Sequence, residues 1–186
     1  MLNVADPPQQ IAKSAARFDA LFQRFYAELY GLAYRLLGSR TEAEDTLQET
    51  FLKLAGAEEL MERPDPEVGA WLRRVCLNLG TNRIRDERRA RERLERAGRL
   101  DFDFANATGD AAGPAALLLR AEERTAVRLI LSRLPERQRD CLLLRHSGYS
   151  YAEIAATLGI AIGSVGVLLA RAERSFRDRY QEDVHP

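Results

Sequence analysis

Two cysteines, two histidines and one tryptophan leave this 186-residue sequence short of the side chains that build metal centres, disulfide frameworks and nucleophilic triads. Cys76 and Cys141 lie far apart, with no CxxC and no histidine at ligand spacing, so both are expected to be reduced, half-buried thiols of a cytoplasmic protein. His146 falls at a helix end and His185 in the tail, and there is no glycine-rich phosphate loop and no nucleophile elbow. No cofactor, no metal site and no enzyme activity are expected. Long apolar runs are missing too. The longest are pieces such as VGVLLA, against the ~20 residues that a membrane-crossing helix needs. The start MLNVADPPQQ lacks a positive segment followed by an apolar core, so it does not read as an export signal. Net charge is absent as well, with 28 Lys and Arg against 28 Asp and Glu.

What is present is a strong polarity hidden in that zero. From Phe18 to Glu62 four basic residues face nine acidic ones, a balance of −5. From Ala70 to Arg99 ten arginines face four acids, a balance of +6. Such a division suits two partners of opposite sign, one of them nucleic acid, and it equally suits a plainly solvated surface.

Every periodic stretch is helical. Phe18, Leu21, Phe22, Phe25, Leu29, Leu32, Ala33 and Leu36 recur at steps of three and four and fall on one helical face. Gly38 ends that helix. TEAE then reads as a capping box, with Thr41 as N-cap and Glu44 at the third helical position, opening a helix to about Leu54 with Ala43, Leu47, Phe51 and Leu54 inward. RPDP interrupts the chain, and Asp65 and Pro66 read as an N-cap and a first helical residue. The long helix after them runs into the arginine-rich stretch, with Val68, Leu72, Val75 and Leu79 inward. GRLDFDFANATGDAAGP has no period and reads as a linker. A helix stopping at Leu134, another begun by Pro135 and ending at Ser147-Gly148, and a short one opened by the capping box SYAE follow. The fold class expected is all-α: a domain over residues 14–97, a flexible linker over 98–114, and a second small helical domain over 115–181.

The second domain carries the spacing of a helix-turn-helix. Ala155 is the small residue at the helix crossing, and Gly159 supplies the positive φ of the turn. Ile154, Leu158, Val165 and Leu168 supply the inward faces. The second helix of such a motif offers its first residues to base edges. Here those outward positions are Gly163, Ser164, Gly166, Val167 and Ala170, of which only Ser164 has a hydrogen-bonding side chain. Arg171 and Arg174 follow one turn later at phosphate-contact positions.

Acidic helix, arginine-rich helix, linker and helix-turn-helix, in that order, resemble the extracytoplasmic-function sigma factors of bacterial RNA polymerase. The resemblance runs from Phe18 to Tyr180 on four pieces: AEDTLQETFLKL, WLRRVCLNLGTNRIRDERR, LPERQRDCLLLR and SYAEIAATLGIAIGSV. It implies that Asp45, Gln48 and Glu49 grip the coiled-coil clamp of the polymerase β′ subunit. It implies that Trp71, Arg74, Asn78, Asn82, Arg83 and Arg85 melt and read the −10 element, with Asn78 near a flipped-base pocket. Tyr151, Ser164, Arg171 and Arg174 would then meet the −35 element. The loop MERPDPEV falls where the family's specificity loop lies. The implied partners are core polymerase, through β′ clamp and β flap, promoter DNA and an anti-sigma factor, with no membrane span. The sequence departs from the family in the reading helix, where Ala161 stands for a polar N-cap and Gly166, Val167 and Leu168 for polar residues. Promoter reading is therefore expected to fall mainly to the first domain. Two alternatives stay open: a free-standing dimeric helix-turn-helix regulator, and a decoy that occupies polymerase or an inhibitor without productive promoter binding.

Overall fold

Helices account for every regular element in the computed structural model, which describes residues 7–96 and 126–184. α1 (Pro7–Leu37), α2 (Arg40–Ala55), the one-turn α3 (Glu58–Met61) and α4 (Asp65–Arg96) form the first unit. Residues 126–133, here α5, with α6 (Glu136–His146), α7 (Tyr151–Leu158) and α8 (Ile162–Val184), form the second. The expected linker, 98–114, and the beginning of the expected second domain lie outside the described residues.

The apolar stripe of α1 builds the first core. Leu21, Phe25, Leu29 and Ala33 are buried with Ala43, Leu47, Phe51 and Leu54 of α2 and Val68, Leu72 and Cys76 of α4. Each leucine, phenylalanine or valine among them, taken fully out of water, stabilises the fold by roughly 1.5–3 kcal/mol. Phe22, expected inward with the others, is instead exposed and stacks obliquely on Phe51. α1 and α4 approach closely at Gly69, where a Cβ would come within 2.8 Å of the Phe25 ring. That contact explains a glycine inside a helix, where it otherwise costs about 1 kcal/mol.

Local signals differ from the expectation at three places. The N-cap of α2 is Ser39, whose hydroxyl accepts from Glu42 N–H, so the capping box at Thr41 does not form. Helix α4 starts at Asp65 rather than after it, and the Asp65 carboxylate is spent on Arg17 at 2.6 Å and Arg24 at 2.5 Å, which pin α1 to the start of α4. Of the expected loop from Met61 to Val68 only Glu62 to Pro64 is non-helical, because α3 precedes it.

The second unit matches its sequence signals closely. Ser150 and Glu153 form the full capping box at α7, Gly159 caps its other end at φ 64°, and Val165 is fully buried. The axes of α7 and α8 cross at 93°, the geometry of a helix-turn-helix.

The two units share a core. Leu32, Leu36 and Leu37 of α1 and Leu77 of α4 belong to one buried cluster with Leu131, Leu134, Leu144, Tyr149, Ile154 and Val165 of the second unit. α4 is therefore covered on two sides. This is why Leu77 and Thr81 are buried, whereas Val75 and Leu79, expected inward, are only half-buried.

Candidate nucleic-acid interface

α2 presents Asp45, Gln48 and Glu49 on one edge, opposite its buried Leu47, Phe51 and Leu54, because offsets of three and four return to the same side of a helix. All three side chains reach solvent, Glu49 in part. Beside this edge lies a hollow of about 290 Å³ lined by Phe22, Tyr26, Leu47, Gln48, Phe51 and Leu52. Leu52 is 65% exposed and adds apolar surface to the rim of this hollow. An acidic edge beside an open apolar hollow has the make-up of a protein-binding surface, where apolar contacts supply area and charges supply register.

α4 carries the cationic face. Arg83 reaches across to the acidic edge, 3.8 Å from both Asp45 and Glu49. Pairs that long and that wet contribute at most about 1 kcal/mol, so an outside charge can displace them. Arg85 pairs with Glu136 of α6 at 3.5 Å. Arg74 donates through Nε to Thr157 O at 2.6 Å and through a terminal nitrogen to Ala156 O at 3.3 Å, both at the end of α7. Asn78 and Asn82 are exposed on the same helix, while Trp71 is half-buried against the first core. Thus α4 gathers Arg74, Asn78, Asn82, Arg83 and Arg85, with Trp71 at its apolar edge, and three of those arginines are engaged within the chain.

Arg73, absent from the expected site, is buried, as is Arg139 of α6. Its side chain is 6% exposed, 3.2 Å from Glu28 of α1 and 3.6 Å from Glu153 of α7. Its guanidinium carbon lies 4.4 Å from the Tyr149 ring centre. Burial raises the pKa of Glu28, against the pull of Arg73. That of Glu153 is lowered, chiefly by the Ser150 hydrogen bonds of the capping box. On α6, burial lifts Asp140 to about 6 despite its pairing with Arg139 at 3.0 Å. Both cysteines are buried, with Cys76 Sγ 3.9 Å from Leu29 O and Cys141 Sγ 3.9 Å from Val165 O. Burial pushes their thiols up to about 12 and about 11, so neither is a ready nucleophile.

In the helix-turn-helix, Ser164, Arg171 and Arg174 are exposed along α8, and Tyr151 is exposed at the start of α7, its ring centre 5.5 Å from the Arg145 guanidinium. The start of α8 is bare and apolar outward: Ile162 is 58% and Val167 53% exposed. The first turn can offer phosphate backbone N–H groups and Ser164, but little else that tells one base from another. Leu52 and Phe22 were hard to single out from spacing, since a lone apolar residue beside a helical stripe reads as its margin. Nothing in the sequence separates Arg73 from its neighbour Arg74.

Residues 21–90 match the family model for Sigma-70 region 2, and residues 124–175 that for Sigma-70, region 4. Over 162 residues the chain is 31% identical to the ECF RNA polymerase sigma factor SigE of Mycolicibacterium smegmatis, covering 87% of this chain and 60% of SigE. It is also 31% identical over 164 residues to the ECF RNA polymerase sigma factor SigM of Mycobacterium tuberculosis, covering 87% of this chain and 76% of SigM. Among solved structures, the fold is similar to that of the sigma factor RpoE in complex with the anti-sigma factor NepR from Bartonella quintana. The TM-score is 0.54 at 23% identity, over 87% of this chain and 96% of that one.

Proposed function

The chain belongs to the extracytoplasmic-function sigma factors of the sigma-70 family, and on that premise we propose that it directs bacterial core RNA polymerase to promoters and starts transcription there. The observation that carries the proposal is α2: an exposed acid-and-amide edge beside an apolar hollow, standing next to the arginine-bearing α4. Asp45, Gln48 and Glu49 engage the clamp of the β′ subunit, with Leu52 and Phe22 adding apolar area. Trp71, Arg74, Asn78, Asn82, Arg83 and Arg85 then meet the −10 element. Melting needs a surface that prefers single strands, and cations along the backbone, an aromatic edge and amides for an extruded base provide it.

The second domain is a weak or atypical reader of the −35 element. Tyr151, Ser164, Arg171 and Arg174 hold upstream phosphates and the apolar start of α8 contributes little base discrimination, while the domain also meets the β flap. The partners are core polymerase, promoter DNA and an inhibitor of the anti-sigma class, as in the Bartonella complex. The work is non-enzymatic and cytoplasmic. Among the described residues no single helix is long and apolar enough to cross a membrane.

Reconstitution tests the proposal. The protein is mixed with core polymerase and a promoter library, and the transcripts are sequenced. Start sites preceded by a shared −10-like element are expected. Binding to duplex DNA without polymerase would favour a free-standing regulator, and polymerase binding without transcripts would favour a decoy.

A further inference from the structure

Apart from Ser164, the early turns of α8 carry no hydrogen-bonding side chain toward solvent, and what stands there has a chemistry of its own. Val167 is 53% exposed, and Ala170 is exposed beside it, on the side of the helix opposite the buried Val165, Leu169 and Ala172. Arg171 follows Val167 by four residues and Arg174 follows Ala170 by four, so the apolar pair and both exposed guanidinium groups share one side of α8. A third cation flanks them. The Arg145 guanidinium lies over the Tyr151 ring at 5.5 Å, and a Cβ on Gly166 would meet that ring at 3.8 Å. From Ile160 to Ala172 the sequence holds no carboxylate, so nothing on this stretch repels a phosphate.

The fold gains little from Val167. A β-branched side chain loses rotamer freedom in a helix, and one that is half in water buries little to offset that loss. The second helix of a helix-turn-helix lies in the major groove with its first turns toward the base edges. In that groove thymine alone carries a methyl group, for which an apolar side chain is the matching partner. A cytosine at the same place would set its N4 amino donor against the valine without an acceptor. Cations beside an apolar pair suit DNA, where phosphates flank the methyl. A protein partner fits less well, because interface energy comes chiefly from aromatic and arginine anchors, among which valine is under-represented.

We propose that Val167, with Ala170 beside it, reads thymine methyl groups in the upstream promoter duplex. The inference rests on the sigma-factor reading above and deepens it: the little base discrimination left to α8 is apolar. Arg171 and Arg174 hold the register on phosphates, and Val167 favours thymine over cytosine at the position it faces.

The test uses the complex of core polymerase with the whole chain, on a promoter recovered from the transcript library. Each thymine of the upstream element is replaced in turn by uracil, which keeps the base pair and the phosphate charge and removes only the methyl. One such replacement is expected to weaken the complex about fourfold, the effect of returning one methyl group to water. In Val167→Ala the same position is expected to lose that sensitivity, with the helical circular dichroism unchanged because the side chain is exposed. A promoter that is opened normally yet is indifferent to uracil at every upstream thymine would overturn the methyl reading and leave the sigma-factor reading standing. Uracil sensitivity that persists undiminished in Val167→Ala, or library promoters sharing no upstream thymine, would do the same. Failure to open any promoter would remove the sigma-factor reading and this inference with it.

Discussion

Arg83 of α4 faces Glu49 of α2 with their nearest charged atoms 3.8 Å apart and lies equally far from Asp45, so the cationic helix and the acidic edge meet at two partly exposed ion pairs. While Arg74 and Arg85 of the cationic helix are engaged by α7 and α6, the two surfaces are neighbours and are not buried against one another. Charge reversal at Glu49 exploits this. Glu49→Arg is expected to weaken core polymerase binding by about tenfold or more, since like charges across an interface are strongly unfavourable. The fold should lose less than about 1 kcal/mol, because the pair is exposed. Fluorescence anisotropy with labelled protein checks the first point and urea denaturation the second. Unchanged affinity would remove Glu49 from the interface.

Arg85 tests the phosphate role. It is half-exposed and only loosely held by Glu136 at 3.5 Å, so a phosphate can displace that partner at little cost. Arg85→Ala is expected to weaken promoter binding by the polymerase complex similarly across promoter sequences. The slope of log affinity against log salt should fall by ~1. A slope equal to the native one would leave Arg85 a solvated charge.

Asp140 sets a pH dependence. Burial holds its folded pKa near 6, above its ordinary value of 3.8, so between these values the folded chain binds the extra proton. Stability from this group is therefore greatest at low pH and declines as pH rises from about 4 to about 6, by on the order of 2–3 kcal/mol. Glu28 is shifted in the same direction. Urea midpoints measured from pH 4 to 7.5 are expected to fall over this window in the native chain and to flatten in Asp140→Asn. An equal slope in both would contradict the assignment.

Gly166 separates packing from function in the reading helix. A Cβ there would lie 3.8 Å from the nearest Tyr151 atom, an ordinary contact, so Gly166→Ala should stabilise the fold by about 1 kcal/mol. A glycine on this outward side leaves room for close approach of another backbone. The variant is therefore expected to weaken protection of upstream promoter DNA in footprints of the polymerase complex. Higher stability with undiminished upstream protection would show that nothing approaches the backbone there.

The all-helical fold was legible because its signals are local and repeat: the α1 stripe, the Ser150–Glu153 box and the turn glycine each act within one or two turns. The acidic edge was legible for the same reason, since Asp45, Gln48 and Glu49 share a helix face. The true N-cap of α2 was missed because Ser39 and Thr41 are equally good caps two residues apart, and tertiary packing chooses between them. The second burial face of α4 was not visible. Leu77 and Thr81 look like margins of the Val68–Leu72 stripe until another unit packs on them. Arg73 and Arg74 are identical in composition and opposite in setting, one enclosed by two carboxylates and the other capping a neighbouring helix. Only the placement of α7 tells them apart.

Promoter opening tests the central claim most directly. Core polymerase, this protein and a promoter recovered from the library are combined, and unpaired thymines are mapped with permanganate. Reactive thymines spanning the −10 region, present only when both proteins are added and lost with Glu49→Arg, are the predicted result. A promoter that stays fully paired while the two proteins are bound to each other, or thymine reactivity indifferent to Glu49, would contradict it.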